Sequence, residues 1–397
     1  MDTKTLLEWS AKYHTPNYGS RAPIVLVRGD GVRVWDTEGR EYLDFGAGIA
    51  VTSLGHCHPR VTGAIQEAAA TLLHVSNLYH AAPQIHLAKL LIEHSFADRV
   101  FFSNSGAEAN EAALKVARKY ARERIASDRV EFVATRNSFH GRTFAALAAT
   151  GQEKYQHGFE PLVPGFKHVP YNDLRAMERA IDNRTAGVIV ECIQGEGGVH
   201  LADDDYLRGL RKLCDQSGAL LIIDEIQTGV ARTGRLWAYQ HYGIEPDIMT
   251  LAKALANGVP IGAMLTREDI ASVLIAGTHG STFGGTPFVT SVALATMTTV
   301  LDGKLWEQAA QRGRYLMDGL RAIQASNPKV QVVRGRGLLI GAELSVPAGP
   351  IVDACREAGL LVLSAGEKVL RLTPPLIVAE RECEQALGII KTVLGRA

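Results

Sequence analysis

The chain has 397 residues, 46% apolar and 21% charged, which permits a large core and excludes a disordered or fibrous protein. Forty-two basic side chains balance forty-two acidic ones, which argues against a broad surface for nucleic acid or an acidic membrane. The five cysteines are scattered and no CxxC pair occurs, so neither a disulfide framework nor a cysteine zinc site is expected.

The first residues, MDTKTLLEWSAKYH, lack the apolar core and cleavage site of a secretion signal, and they are not Arg/Ser-rich. No stretch approaches the roughly 20 apolar residues that span a bilayer. The longest, 288–301, is short and Thr-rich. With reduced thiols, this leads to the expectation of a cytoplasmic protein. Length predicts roughly two to three domains. Residues 1–58 carry short strands, GVRVWD and EYLDF, and are expected to pack with a small C-terminal domain over 301–397. A large domain is expected over 59–300.

Within 59–300, short β-branched runs alternate with helical patterns. RVFFS (99–103) leads into a helix from about Gly106 to Ala121, followed by VEFVA (130–134). GVIVECI (187–193), LLII (220–223) and DIMTL (247–251) come next, separated by amphipathic stretches near 204–217 and 235–242. This alternation predicts an α/β fold with a mostly parallel central sheet covered on both faces. Beyond it, a long helical pattern covers 301–325. VQVVRGRGLLIGAEL (330–344) then alternates like a hairpin, a helix follows near 350–358, and LLVLSAG, VLRLTPPL and a last helix finish an α+β unit.

Open α/β sheets bind ligands at the carboxyl ends of their strands. Polar residues gather there. Asp224 ends LLIID; metal ligand, helix cap and cofactor partner are all open for it. Lys253 lies in an apolar segment before a Gly/Pro turn. It is either a snorkelling lysine or a Schiff-base lysine of lowered pKa. In SNSGAEANEAALKVARKY (103–120), small residues precede an Ala-rich helix. That suits a phosphate cradle, but Ser105 with Glu108 also fits an ordinary capping box. SFHGRT (138–143) offers an aromatic, a glycine turn and an arginine, suited to a planar ring and a carboxylate or simply a surface loop. Together these residues form the set that pyridoxal 5'-phosphate requires.

The sequence resembles the class III (ornithine/acetylornithine type) pyridoxal-phosphate aminotransferases of fold type I. The likeness runs from GDGVRVWDTEGREYLDFGAGIAV through HGSTFGG to VLRLTPPL. It is most specific in LLIIDEIQTGVARTGRLWAYQHYGIEPDIMTLAKALANGVPIGA. It implies that Lys253 holds the cofactor as a Schiff base and shuttles a proton. Asp224 would pair with the ring nitrogen, and Gln227 would bond the region of the ring 3-hydroxyl. Ser105, Gly106 and Ala107 would bind the phosphate, and Phe139 would stack on the ring. Thr282 would reach the phosphate of a second subunit, implying a homodimer with shared sites. Arg142 would bind the carboxylate of an acylated diamino acid. Arg371 would bind the α-carboxylate of 2-oxoglutarate or glutamate, and Glu196 would pair with Arg371 in the other half-reaction.

Ornithine δ-aminotransferases carry a tyrosine six residues before the glycine of GHCHP; here that glycine is Gly55 and the position is Ile49. The resemblance therefore points to N2-acetyl-L-ornithine as donor and 2-oxoglutarate as acceptor, in arginine biosynthesis. N-succinylornithine, N-succinyl-diaminopimelate or a carrier-linked aminoadipate semialdehyde would use the same residues. Aminomutases and decarboxylases share the scaffold. Cys192 stands where the family usually has proline, a change expected to affect loop rigidity. Tyr18, in PNYGS, falls where the family places the active-site mouth. His56 and His58 bracket Cys57 without further ligand spacing, so turn hydrogen bonding is expected there, and no metal. RGRGLLIG (334–341) lacks the spacing of a dinucleotide turn. Asp203–Asp205 are expected to start a helix.

Overall fold

The computed structural model describes residues 2–19 and 21–396. Seven strands form the central sheet, in the order 99–103, 262–266, 248–251, 220–224, 185–191, 131–135, 166–169. Gly262–Thr266 runs antiparallel to both its neighbours, and the other strands are mutually parallel. The expected strands are present to within two residues. Phe166–Val169 and Gly262–Thr266 are additional. The latter, GAMLT, carries little of the β-branched enrichment that marks a strand in sequence.

Period-two alternation sorts the sheet's side chains onto two cores. Leu221 and Ile223 join Val188 and Val190 on one face. Leu220 and Ile222 join Ala186 and Ile189 on the other, beneath helix Gly106–Arg124. That helix turns Ala109, Ala112, Ala113, Val116 and Ala117 to the sheet. Side chains this small let the helix axis lie close to the strands.

The helical pattern over 301–325 is met by Leu305–Ser326, and a separate helix that was not expected, Pro287–Asp302, precedes it. They break at Gly303 and Lys304, whose φ is +44°. The preceding helix is buried on several sides and shows no clean apolar stripe. Its Thr290 and Thr296 hydroxyls donate to carbonyls one turn back. The amphipathic stretch 235–242 contains only a 3-10 turn, Ala238–His241. Helix Asp204–Ser217 starts at Asp203 as its N-cap.

A second sheet pairs strands 26–30, 33–36 and 41–44 with Leu360–Leu361. Leu43 faces Leu360 and Asp44 faces Leu361 in parallel register. The hairpin Val330–Arg336 with Leu339–Leu344 joins strands 369–372 and 363–365 in a third sheet. His56 Nε2 lies 2.8 Å from Asp44 Oδ2 at the end of strand 41–44, a partner outside the turn in which its hydrogen bonding was expected. Among the described residues no helix is long and apolar enough to cross a membrane.

Candidate active site

Parallel register places Glu191, Asp224 and Thr250 side by side at the ends of three adjacent strands. Lys253 follows, three residues beyond Thr250, with φ at +38°. Non-glycine residues seldom adopt this conformation, which costs about 1–3 kcal/mol. It directs the side chain back over the sheet edge. There Lys253 lines a cavity of about 400 Å³ together with Asp224, Gln227 and Glu196. Burial pushes the amine below the ordinary lysine range, against the upward pull of Glu196.

The far wall is the start of helix 106–124, with Ser105, Gly106 and Ala107. Ser105 Oγ accepts from Glu108 N at 3.2 Å, and Glu108 Oε2 accepts from Asn104 N at 2.6 Å. The capping contacts are therefore present and do not occupy the first amides of the helix. The side chains cap Glu108 and Asn104, while the amides of Gly106 and Ala107 have no intrahelical acceptor. A Cβ on Gly106 would lie 2.8 Å from Ile226 Cδ1, and one on Gly141 2.8 Å from Ala107 Cβ. The loop carrying Phe139 and Arg142 approaches the helix start this closely only because position 141 is glycine, while Gly106 makes room for Ile226. Phe139 and Arg142 line the same cavity.

Asp224 is 3% exposed, and both its oxygens have partners. Its Oδ1 accepts from Ile226 N at 3.0 Å. Its Oδ2 lies 2.8 Å from both Asn110 Nδ2 and His140 Nδ1. Asn110 Oδ1 in turn accepts from Thr250 Oγ1 at 2.8 Å. Sequence reasoning missed Asn110 and gave His140 no role. The available signal was an asparagine inside an Ala-rich helix, four residues past the glycine. Glu191 was also missed. It accepts from Phe139 N at 3.1 Å, and burial, with Asp224 adding, raises its carboxyl well above the ordinary range.

Arg371 is 2% exposed. Its Nη1 donates to Glu196 Oε1 at 2.6 Å, to Gly195 O at 3.0 Å and to Gln227 Oε1 at 3.3 Å. Gln227 Nε2 also donates to Glu196 Oε1 at 3.2 Å, so Gln227 bridges the pair. Burial pushes the Glu196 carboxyl up, but Arg371 and Lys253 outweigh it and hold it below the ordinary range. Arg142, by contrast, pairs with no carboxylate among the described residues. Its guanidinium lies over the rings of Tyr155 and Phe139.

Four expected residues sit apart. Thr282 is exposed and outside the cavity wall. Ile49 is exposed, with φ at +64°. Tyr18 is exposed. Cys192 is wholly buried in the core, where burial raises its thiol well above the ordinary range.

This arrangement can hold a flat, anionic ring against a carboxylate and an amine, and two arginines can receive carboxylates. Comparison with known proteins agrees with it. Residues 15–394 match the family model described as aminotransferase class-III. The chain is 49% identical over 391 residues to the acetylornithine aminotransferase of Caldanaerobacter subterraneus, covering 98% of this chain and 99% of that one. It is 47% identical over 393 residues to the acetylornithine aminotransferase of Methanocaldococcus jannaschii, covering 99% and 98%. An ornithine aminotransferase structure from Toxoplasma gondii, described as having partial occupancy of PLP at its active site, superposes with a TM-score of 0.96. It shares 37% identity, covering 100% of this chain and 94% of that one. The lysine, the paired carboxylates and the two arginines thus stand on the scaffold of a known enzyme family, and the chain belongs to the class III aminotransferases.

Proposed function

We propose that this chain transfers the δ-amino group of N2-acetyl-L-ornithine to 2-oxoglutarate, giving N-acetylglutamate 5-semialdehyde and L-glutamate in cytoplasmic arginine biosynthesis. The contrast between an open arginine and a closed one carries this reading. Arg142 is free to take a carboxylate at any time, whereas Arg371 is closed by Glu196 at 2.6 Å. Such a pair suits two substrates whose carboxylates lie at different distances from the reacting carbon. The names of the acetylornithine aminotransferases that match nearly the whole chain support the donor.

The residues fit pyridoxal 5'-phosphate as cofactor. The amides of Gly106 and Ala107 and the Ser105 hydroxyl suit its phosphate, and any Cβ at Gly106 would crowd that cradle. Asn110 and His140 hold the Asp224 carboxylate, which would pair with the ring nitrogen. Phe139 would stack on the ring, and Gln227 would bond the region of its 3-hydroxyl. When bound, the cofactor supplies an electron sink for the charge left as a C–H bond beside the substrate nitrogen breaks.

The chain's residues do the rest. Lys253, favoured as the neutral amine by burial, would hold the cofactor through its Nζ. Freed when substrate binds, that amine would take the proton from the substrate's δ-carbon and hand it on, ending the half-reaction neutral again. Arg142 holds the donor's carboxylate while Glu196 keeps Arg371 closed. When 2-oxoglutarate enters, its α-carboxylate displaces Glu196 from Arg371, and its distal carboxylate falls to Arg142. Thr282, exposed in one chain, serves the site of a second copy in a homodimer.

The test is to add N-acetylornithine, ornithine and N-succinylornithine separately to the yellow, cofactor-loaded enzyme without oxo acid. Rapid bleaching by N-acetylornithine alone is expected. Rapid bleaching by another donor, with N-acetylornithine inert, would discard the named substrate and keep the family.

A further inference from the structure

Arg142 is one of two arginines at the site, yet the protein treats them differently. Arg371 is met by a carboxylate. Arg142 is met by aromatic rings: its guanidinium carbon lies 3.7 Å from the centroid of Tyr155 and 5.5 Å from that of Phe139. The two rings meet edge to face, 5.8 Å apart at 84°. Tyr155 sits on the short helix Glu153–Gln156, outside every motif singled out in the sequence.

That helix is fastened on one side of the tyrosine to the loop bearing Phe139 and Arg142, and on the other to helix Phe144–Ala149, which follows Arg142. Gln152 Nε2 donates to Ser138 O at 3.1 Å and to Asn137 O at 3.3 Å. Gln156 Nε2 donates to Thr150 O at 2.8 Å and to Leu147 O at 3.3 Å. The ring is therefore fixed relative to the arginine it supports. An aromatic face orients a cation without neutralising it. A carboxylate partner would orient it too, but an incoming substrate would then have to displace a rival anion, as at Arg371.

We propose that Tyr155 is a positioning residue for substrate specificity. It clamps the Arg142 guanidinium flat and uncompensated, so that substrates carrying a carboxylate remote from the reacting carbon find a ready partner. This rests on the assignment of Arg142 to that carboxylate. The phenol oxygen has no part in it; the ring face does.

The experiment uses single-turnover bleaching of the loaded enzyme by two amines. N-Acetylornithine carries the remote carboxylate, and N-acetyl-1,4-diaminobutane is the same molecule without it. Tyr155→Leu should raise the half-saturation concentration for N-acetylornithine about two- to fivefold, the scale of an exposed cation–π contact, and leave that for N-acetyl-1,4-diaminobutane unchanged. Tyr155→Phe should match the wild type for both. Tyr155→Met tests the same point if the leucine variant does not fold. Thermal unfolding of each variant without cofactor reads the structural effect separately. Equal shifts for both amines, or a phenylalanine variant as impaired as leucine, would overturn the proposal. Arg142→Gln separates the two layers. If it weakens N-acetylornithine selectively while Tyr155→Leu does not, Tyr155 alone loses its role. If Arg142→Gln also has no effect, the assignment of Arg142 falls as well, and Tyr155 with it.

Discussion

Replacing Glu196 with glutamine removes the charge that closes Arg371 and keeps the shape. At 2.6 Å and an effective dielectric of about 20, the two charges attract by about 6 kcal/mol. Desolvation offsets most of this, and hydrogen bonds to charged groups are worth about 1.5–3 kcal/mol net. Arg371 keeps Gly195 O at 3.0 Å and Gln227 Oε1 at 3.3 Å, so its guanidinium stays in place when the carboxylate is gone. The attraction that the α-carboxylate of 2-oxoglutarate must overcome in the wild type then becomes available for binding. Half-saturation by 2-oxoglutarate should fall roughly ten- to hundredfold in Glu196→Gln. The assay pre-converts the enzyme with donor and follows the return of yellow colour against 2-oxoglutarate concentration. Binding of N-acetylornithine should stay within about threefold, and excess 2-oxoglutarate should become inhibitory. Because Arg371 and Lys253 hold the Glu196 carboxyl below its ordinary 4.5, the closed pair persists through neutral pH. It is lost only as pH falls through that lowered value, so wild type and variant should converge only in acid. An unchanged or weaker affinity for 2-oxoglutarate at neutral pH would refute the closed-arginine account.

Lys253→Ala should abolish turnover and the yellow cofactor colour; near-wild-type rates would remove this lysine from the mechanism. Lys253→Met should raise the melting temperature of the cofactor-free protein at pH 7. Burial disfavours the charged amine, a penalty present below the ordinary 10.5 that shrinks as pH rises towards it; an equal or lower melting temperature would count against that. Asn110→Ala strips Asp224 of one N–H donor and leaves Thr250 unpaired, so urea unfolding should show a loss of about 1.5–3 kcal/mol along with slower turnover. Gly141→Ala places a Cβ 2.8 Å from Ala107 at φ +135°, so cofactor affinity by equilibrium dialysis should drop at least tenfold.

The parts of the site that lie at strand ends were legible because apolar runs announce where a sheet edge falls. LLIID places Asp224, and DIMTLAK places Lys253 within a turn of the strand. Ser105 and Gly106 were legible in the same way, as the junction between RVFFS and an Ala-rich helix. What escaped was whatever depends on neighbours distant in sequence. Asn110 supports Asp224 across 114 positions, and its one local mark, an asparagine within an Ala-rich helix, does not reveal that partner. Gly262–Thr266 lacked a strand's composition because its pairing partners on both sides, not its own propensity, hold it extended. The Pro287–Asp302 helix was obscured for a related reason: burial on several faces erases the periodicity that makes a helix visible.

The parallel pairing of Leu43–Asp44 with Leu360–Leu361 bears on how the chain is made. A ribosome releases the first partner some three hundred residues before the second. During synthesis the ribbon of residues 26–44 therefore waits with an open edge while the seven-stranded sheet assembles beside it. Closure also waits for residues beyond the second partner, since Thr373 N must reach Phe45 O and Leu376 N must reach Ser53 O. A nascent chain arrested before residue 360 should thus carry a formed Ser105–Gly106 turn and lysine turn, yet expose its 26–44 ribbon to protease until residues 360–376 are released.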